Sequence, residues 1–168
     1  MDFQQVIRDR FSVRQYMDRA VEQEKIDAIL EAGRIAPTAK NLQPIKIYVV
    51  NSPEWLEKID KASRCRYGAP LVMIVCWDKD SAFTKPEHST YEIDASIVAT
   101  HMLLESANQW LGSVWVELID RWVLKSEFDI PENLFPVCIL PMWYKTDDCP
   151  ISPLHSDKKS IDELVEYK

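Results

Sequence analysis

Two guanidinium groups flank a hydroxyl in Arg10-Phe11-Ser12-Val13-Arg14, an arrangement suited to gripping a phosphate through charge-assisted, bidentate hydrogen bonds. Spacing alone equally admits a solvated basic turn with Ser12 as a capping residue. The stretch Ala36-Pro37-Thr38-Ala39-Lys40-Asn41-Leu42-Gln43-Pro44 is bracketed by prolines and dense in side-chain donors and acceptors. It is either a set of groups for a polar ligand or an ordinary polar loop. Lys158 and Lys159 supply a cationic pair late in the chain, as part of an anion site or as the solvated entry to a last helix. His101, alone on an apolar helix, reads as a core or interface histidine.

Other chemistries find no support. Glycine occurs only at positions 33, 68 and 112, so neither a GxGxxG turn nor a Walker loop can form. GxSxG and HExxH motifs are absent, and no Ser-His-Asp ordering stands out. Cys65, Cys76, Cys138 and Cys149 form no CxxC pair, and His88, His101 and His155 are scattered, so neither a zinc site nor a redox dithiol is indicated. A net charge of −7 argues against nucleic acid as partner, because phosphate neutralisation needs a basic face. No run approaches the roughly 20 apolar residues that span a bilayer, and the first residues lack an apolar leader. A cytoplasmic setting with reduced thiols is expected.

The elements that must position these groups follow from periodicity and breakers. A length of 168 residues with 46% apolar content suits one domain over 1–168 with one core. Six Trp suggest large flat surfaces for a partner, a planar ligand or the core itself. Helices are predicted at Asp2 to Asp9, with Phe3, Val6 and Ile7 on one side, and at Glu22 to Ile35, ended by Pro37. Ile45 to Val50 reads as a strand, and Ser52-Pro53 as the N-cap and first position of a helix running to Ala62. Leu71 to Trp77 is a continuous apolar run, expected as a central strand buried on both faces, with a charged loop from Asp78 to Glu87 after it. The longest helix should run from Tyr91 to Trp110, apolar on most sides and capped by Gly112. Strands at Ser113 to Val116 and Val137 to Tyr144 and helices at Arg121 to Phe128 and Ser160 to Tyr167 complete an α+β or three-layer arrangement of four strands and about six helices.

Taken in order, these segments resemble the short bacterial nitroreductase family. The resemblance runs from Arg10 to Arg14 through Ala36 to Pro44, Gly68-Ala69-Pro70, Asp94-Ala95 and Leu111-Gly112-Ser113-Val114-Trp115. It continues through Pro131-Glu132-Asn133-Leu134, Leu140-Pro141-Met142 and Lys158-Lys159 to Glu163-Leu164-Val165, covering essentially the whole chain. It implies a three-layer α+β fold, a mixed sheet flanked by helices, in an intertwined homodimer that binds FMN between its subunits. By resemblance Arg10, Ser12 and Arg14, with Lys158 or Lys159, hold the FMN phosphate, and Phe11 belongs to the same cofactor-binding set. Thr38, Ala39, Asn41 and Gln43 match the loop that touches the ribityl chain and pyrimidine edge from the partner subunit. Trp115, Val116 and Glu117 match the turn whose amide lies near flavin N5.

The implied activity is ping-pong: hydride passes from NADH or NADPH to the flavin and on to an electron-poor acceptor such as a nitroaromatic or a quinone, with no protein acid or base required. Two departures concern the pocket. Glu117 stands where many relatives have glycine, and Met142-Trp143-Tyr144-Lys145 replaces Leu-Gly-Tyr-Pro, which makes Trp143 and Tyr144 substrate-pocket candidates. Either these side chains narrow the acceptor range or they point away and only the backbone matters. The glycine losses keep open a flavin-binding carrier or regulator with little turnover, while a specialised member with another reductive reaction would usually need an extra lid or insertion for which 168 residues leave little room.

Overall fold

The computed structural model describes residues 2–85 and 88–168, and the last part of the charged loop expected to Glu87 lies outside the described residues. Its organising element is β2 (Leu71–Asp78), in which every residue from Leu71 to Trp77 is buried. β2 lies between β1 (Ile45–Val50) and β6 (Leu134–Trp143), and β5 (Gly112–Ser113) closes the order β1-β2-β6-β5. All three strand pairings are antiparallel. The one parallel contact among the described residues is a bridge between Ser12 and Ser113, so the sheet is mixed only through the N-terminal segment.

Because successive side chains of a strand point to opposite faces, β2 feeds two cores. Leu71, Met73, Val75 and Trp77 pack with α2 (Gln23–Arg34) and α4 (Tyr91–Asn108), among them Ile26, Ile29, Val98 and Met102. Val72, Ile74 and Cys76 pack with α3 (Pro53–Ala62) and α5 (Arg121–Glu127), through Leu56, Ile59 and Leu124. The result is helix, sheet and helix in three layers. Among the described residues no helix is long and apolar enough to cross a membrane.

Several boundaries differ from the sequence-based expectation, each for a local reason. Within the charged stretch after β2, Thr84–Lys85 (β3) pairs antiparallel with His88–Ser89 (β4). β6 begins at Leu134, earlier than Val137, and carries Pro136 at a register shift opposite Val75 and Cys76, where a missing N–H is tolerated. Ser52 and Pro53 open α3 as expected, but the Ser52 side chain makes no capping hydrogen bond. The last helix, α6 (Ile161–Leu164), stops well short of Tyr167. A Ser160–Glu163 capping box starts it, yet Ile161 and Leu164 are exposed, and a helix without tertiary burial does not propagate. In α1 (Phe3–Asp9) Val6 is buried while Phe3 and Ile7 stay exposed.

Gly112 is not the cap of α4. The helix ends in a Schellman motif in which Trp110 takes the left-handed position (φ 65°), its N–H bonding Ala107 O at 3.0 Å and that of Leu111 bonding Ser106 O at 2.8 Å. Gly112 belongs instead to β5, where a Cβ would lie 2.7 Å from both γ-carbons of Val13. Absence of a side chain there lets the segment through Arg10 to Arg14 lie against the sheet, with the Val13 N–H donating to Ser113 O at 3.0 Å. Gly112→Ala should therefore lower stability by about 1–3 kcal/mol through overpacking. Val13→Ala in the same chain should recover part of the loss in melting temperature.

Candidate functional site

Around Gly112 the N-terminal segment is laced to the sheet edge. The Met17 N–H donates to Tyr144 O at 2.8 Å, the Thr146 N–H donates to Gln15 O at 3.2 Å, and Tyr16 bridges to Lys145. The Tyr16 hydroxyl donates toward Val13 O (2.9 Å) and Pro141 O (3.2 Å), and burial pushes its pKa upward. Ser12 thus lies in extended, sheet-paired backbone and is not a helix cap. Arg10 and Phe11 line a pocket of about 280 Å³ with Val6, Trp110, Gly112 and Lys145. Arg14 is exposed, donating from Nη1 to Ser12 O at 3.2 Å. The Phe11 ring meets that of His155 with centroids 6.2 Å apart, which draws the late segment carrying Lys158 and Lys159 toward this turn. Both lysines are exposed, and Lys158 Nζ donates to Leu154 O at 3.3 Å.

The proline-bracketed loop is held in an unusual shape. Lys40, Asn41 and Gln43 have φ of 52°, 55° and 52°, left-handed values that side chains other than glycine adopt at a cost. Thr38 Oγ1 accepts the Gln43 N–H at 3.0 Å, and Gln43 Nε2 donates to Asn41 Oδ1 at 3.2 Å. From outside the loop, Asp94 of α4 accepts the Ala39 N–H at 2.9 Å on Oδ1 and the Thr90 hydroxyl at 2.7 Å on Oδ2. Asp94 is buried. From sequence Asp94 is marked only as part of the family resemblance, and neither its support of the loop nor Thr90 was foreseen; the signal for both was a carboxylate on the buried face of an otherwise apolar helix, which requires partners. Thr38 and Gln43 line a pocket of about 420 Å³ with Leu30, Ala36, Ile45 and Val98. The basic turn does not border this pocket, so one chain keeps the two groups of candidates apart.

The third segment presents backbone donors. Val114 and Val116 donate to Pro141 O (3.1 Å) and Ile139 O (3.0 Å), while among the described residues the alternate amides of Trp115 and Glu117 have no acceptor. The Glu117 carboxylate turns to Arg121 Nη2 at 3.3 Å. Trp143 pairs with Gly112 across β5 and β6; its half-buried indole borders neither pocket, and its N–H has no acceptor among the described residues. Tyr144 is a core residue. Its hydroxyl donates to Glu22 Oε2 at 2.6 Å and accepts from Lys25 Nζ at 2.8 Å, with the Arg19 guanidinium 4.1 Å from the ring centroid. The thiols of Cys76, pushed up to about 12, and Cys138, pushed higher still, are held protonated by burial.

A model of the nitroreductase family matches residues 7–67, the part that carries the basic turn and the left-handed loop. A nitroreductase family protein from Clostridium difficile 630 superposes with a TM-score of 0.93 at 37% identity, over 100% of this chain and 99% of that one. The chain belongs to the nitroreductase family. A Methanothermobacter thermautotrophicus protein, with the provisional name NADH dehydrogenase/NAD(P)H nitroreductase, is 35% identical over 157 residues, or 88% of this chain and 80% of its own length. A Desulfovibrio desulfuricans protein solved in complex with FMN is 25% identical, with a TM-score of 0.83 over 100% of this chain and 97% of that one.

Within this nitroreductase-family fold, Asp94 ties the left-handed loop to the core. Asp94→Ala should cost about 1.5–3 kcal/mol, because the Ala39 amide and Thr90 hydroxyl lose a charged acceptor. Hydrogen exchange should show the Ala39 amide losing its protection, with Asp94→Asn milder than Asp94→Ala in both readouts.

Proposed function

We propose that this chain is an FMN-dependent NAD(P)H oxidoreductase of the nitroreductase type. The observation that carries the reading is the basic turn pinned against Gly112: Arg10, Ser12 and Arg14 stand on backbone fixed to a sheet edge, the form of site that a phosphate dianion requires. The FMN-bound relative supports the choice of anion. Phe11 and its contact to His155 would bring Lys158 or Lys159 to the same phosphate. In the 38–43 loop the Ala39, Asn41 and Gln43 N–H groups are already paired, so the groups that would meet the polar parts of the cofactor are the Thr38 hydroxyl hydrogen, Asn41 Nδ2 and Gln43 Oε1, with Ala39 in contact beside them. The unpaired amides at Trp115 and Glu117, on either side of the sheet-bonded Val116, are donors for the edge of a flavin ring.

When bound, FMN supplies the hydride-accepting ring between NAD(P)H and an electron-poor acceptor, a nitroaromatic or a quinone. The chain binds and orients. With the Glu117 carboxylate engaged by Arg121, what residue 117 offers to the site is its backbone N–H. Trp143 and Tyr144 bound the acceptor space only through packing, since both side chains are set in the sheet edge and core. Free, partly buried or buried thiols at all four cysteines suit a reducing cytoplasm.

The surfaces that one chain leaves open support a homodimer. Phe3 (66% exposed) and Ile35 (63%) border a groove between α1, α2 and α4 with His101 and Leu104. The tail adds exposed Ile161, Leu164 and Tyr167 (90% exposed), and β1 forms one edge of the four-stranded sheet. Obligate interfaces bury more than about 2,000 Å² of this kind of surface. Two chains also supply what one keeps apart, the basic turn of one and the 38–43 loop of its partner. Equilibrium sedimentation at micromolar concentration should give a dimer, and a folded, FMN-loaded monomer would refute this.

Arg10→Ala, and separately Lys158→Ala with Lys159→Ala, should weaken FMN retention by about ten- to hundredfold, since each charge-assisted bond contributes roughly 1.5–3 kcal/mol. Melting temperatures of the apoproteins should stay near wild type. FMN content after extensive dialysis is the measurement, and equal content in all three proteins would count against the phosphate site.

A further inference from the structure

The pocket of about 280 Å³ bordered by Arg10 and Phe11 carries a second cation on its wall, Lys145. Lys145 follows β6 on backbone tied to the N-terminal segment. It bridges Tyr16 between two hydrogen bonds, from the Met17 N–H to Tyr144 O at 2.8 Å and from the Thr146 N–H to Gln15 O at 3.2 Å. Side chains alternate along extended backbone. Tyr144 accordingly enters the core, while Lys145 is exposed on the pocket wall. Arg10 borders the same space from the end of α1, where its N–H bonds Val6 O at 3.1 Å.

Both charges are left for an outside anion. Among the described residues neither the Arg10 guanidinium nor the Lys145 ammonium enters an ion pair, although Asp9 stands on the same wall. Two cations facing one concave space repel each other, and a dianion between them turns that repulsion into attraction. Lys158 and Lys159 do not border this pocket. Lysine also stands at 145 where the family resemblance has proline, so the second cation is particular to this chain. We propose that Lys145 is a further phosphate-binding residue of the flavin site, its ammonium serving as a point charge beside the fork of the Arg10 guanidinium. This rests on the FMN reading above.

Riboflavin, which lacks the phosphate, separates a phosphate effect from a general one. FMN and riboflavin affinities would be measured by flavin fluorescence on full-length apoprotein, as wild type and carrying Lys145→Gln, Lys145→Arg or Arg10→Ala. Lys145→Gln removes the charge from an exposed side chain and should weaken FMN about three- to tenfold, with riboflavin binding and the melting temperature of the apoprotein unchanged. Lys145→Arg, which keeps the charge, should stay within about twofold of wild type. Equal loss of both flavins in Lys145→Gln, or undiminished FMN binding there while Arg10→Ala loses its preference for FMN, would overturn the role of Lys145 alone. A wild-type protein that binds neither flavin, or an Arg10→Ala protein with unchanged preference for FMN over riboflavin, would remove the phosphate reading, and this inference with it.

Discussion

Burial of β2 on both faces is the constraint from which the architecture follows. Its alternating side chains are the shared floor of two cores, each fully buried large side chain contributing about 1.5–3 kcal/mol. Neither helical layer can close without it: α2 and α4 cover one face, α3 and α5 the other. Connections between layers therefore cross the ends and edges of the sheet. The segments bearing the candidate site residues are such crossings: the N-terminal segment beside β5, the loop from α2 into β1, and the passage from β5 to α5.

Each of these crossings is fixed by a tie to the framework at its base. Val13 seats on Gly112, Ala39 hangs from Asp94, and Val116 exchanges two backbone hydrogen bonds with Ile139. Between the ties, groups remain for a ligand: the Arg14 charge, side-chain polar groups on the 38–43 loop, and, among the described residues, the amides of Trp115 and Glu117. A site assembled from pinned loops on a rigid sheet combines defined geometry with unsatisfied polar groups, the condition for binding a charged, planar cofactor without large rearrangement.

Much of this was legible in the residues because the signals were local. The β-branched run at 45–50 and the unbroken apolar run at 71–77 are the two strands they were expected to be, and the helical spacing of Ile26, Ile29 and Gly33 marks the buried face of α2. What escaped was set by tertiary contact. Pro136 reads as a strand breaker, yet β6 runs through it at a register shift. Gly112 reads as a helix cap, yet Trp110 takes that strained position and the glycine is required by Val13, far away in sequence. Of the site, residue types at 10–14 and 38–43 were visible, and Asp94 only as one residue of the resemblance; its hold on the Ala39 amide is a tertiary contact that no spacing rule connects to it.

The cap formed by Trp110 carries an optical consequence. Its backbone holds the indole outward, 68% exposed, on the wall of the pocket shared by Arg10 and Lys145. An indole so placed emits as a solvated fluorophore, unlike Trp77, which is enclosed in the core. Anything that settles against Arg10 alters the water around that one ring, so emission colour and quenching at Trp110 report directly on the basic end of the site.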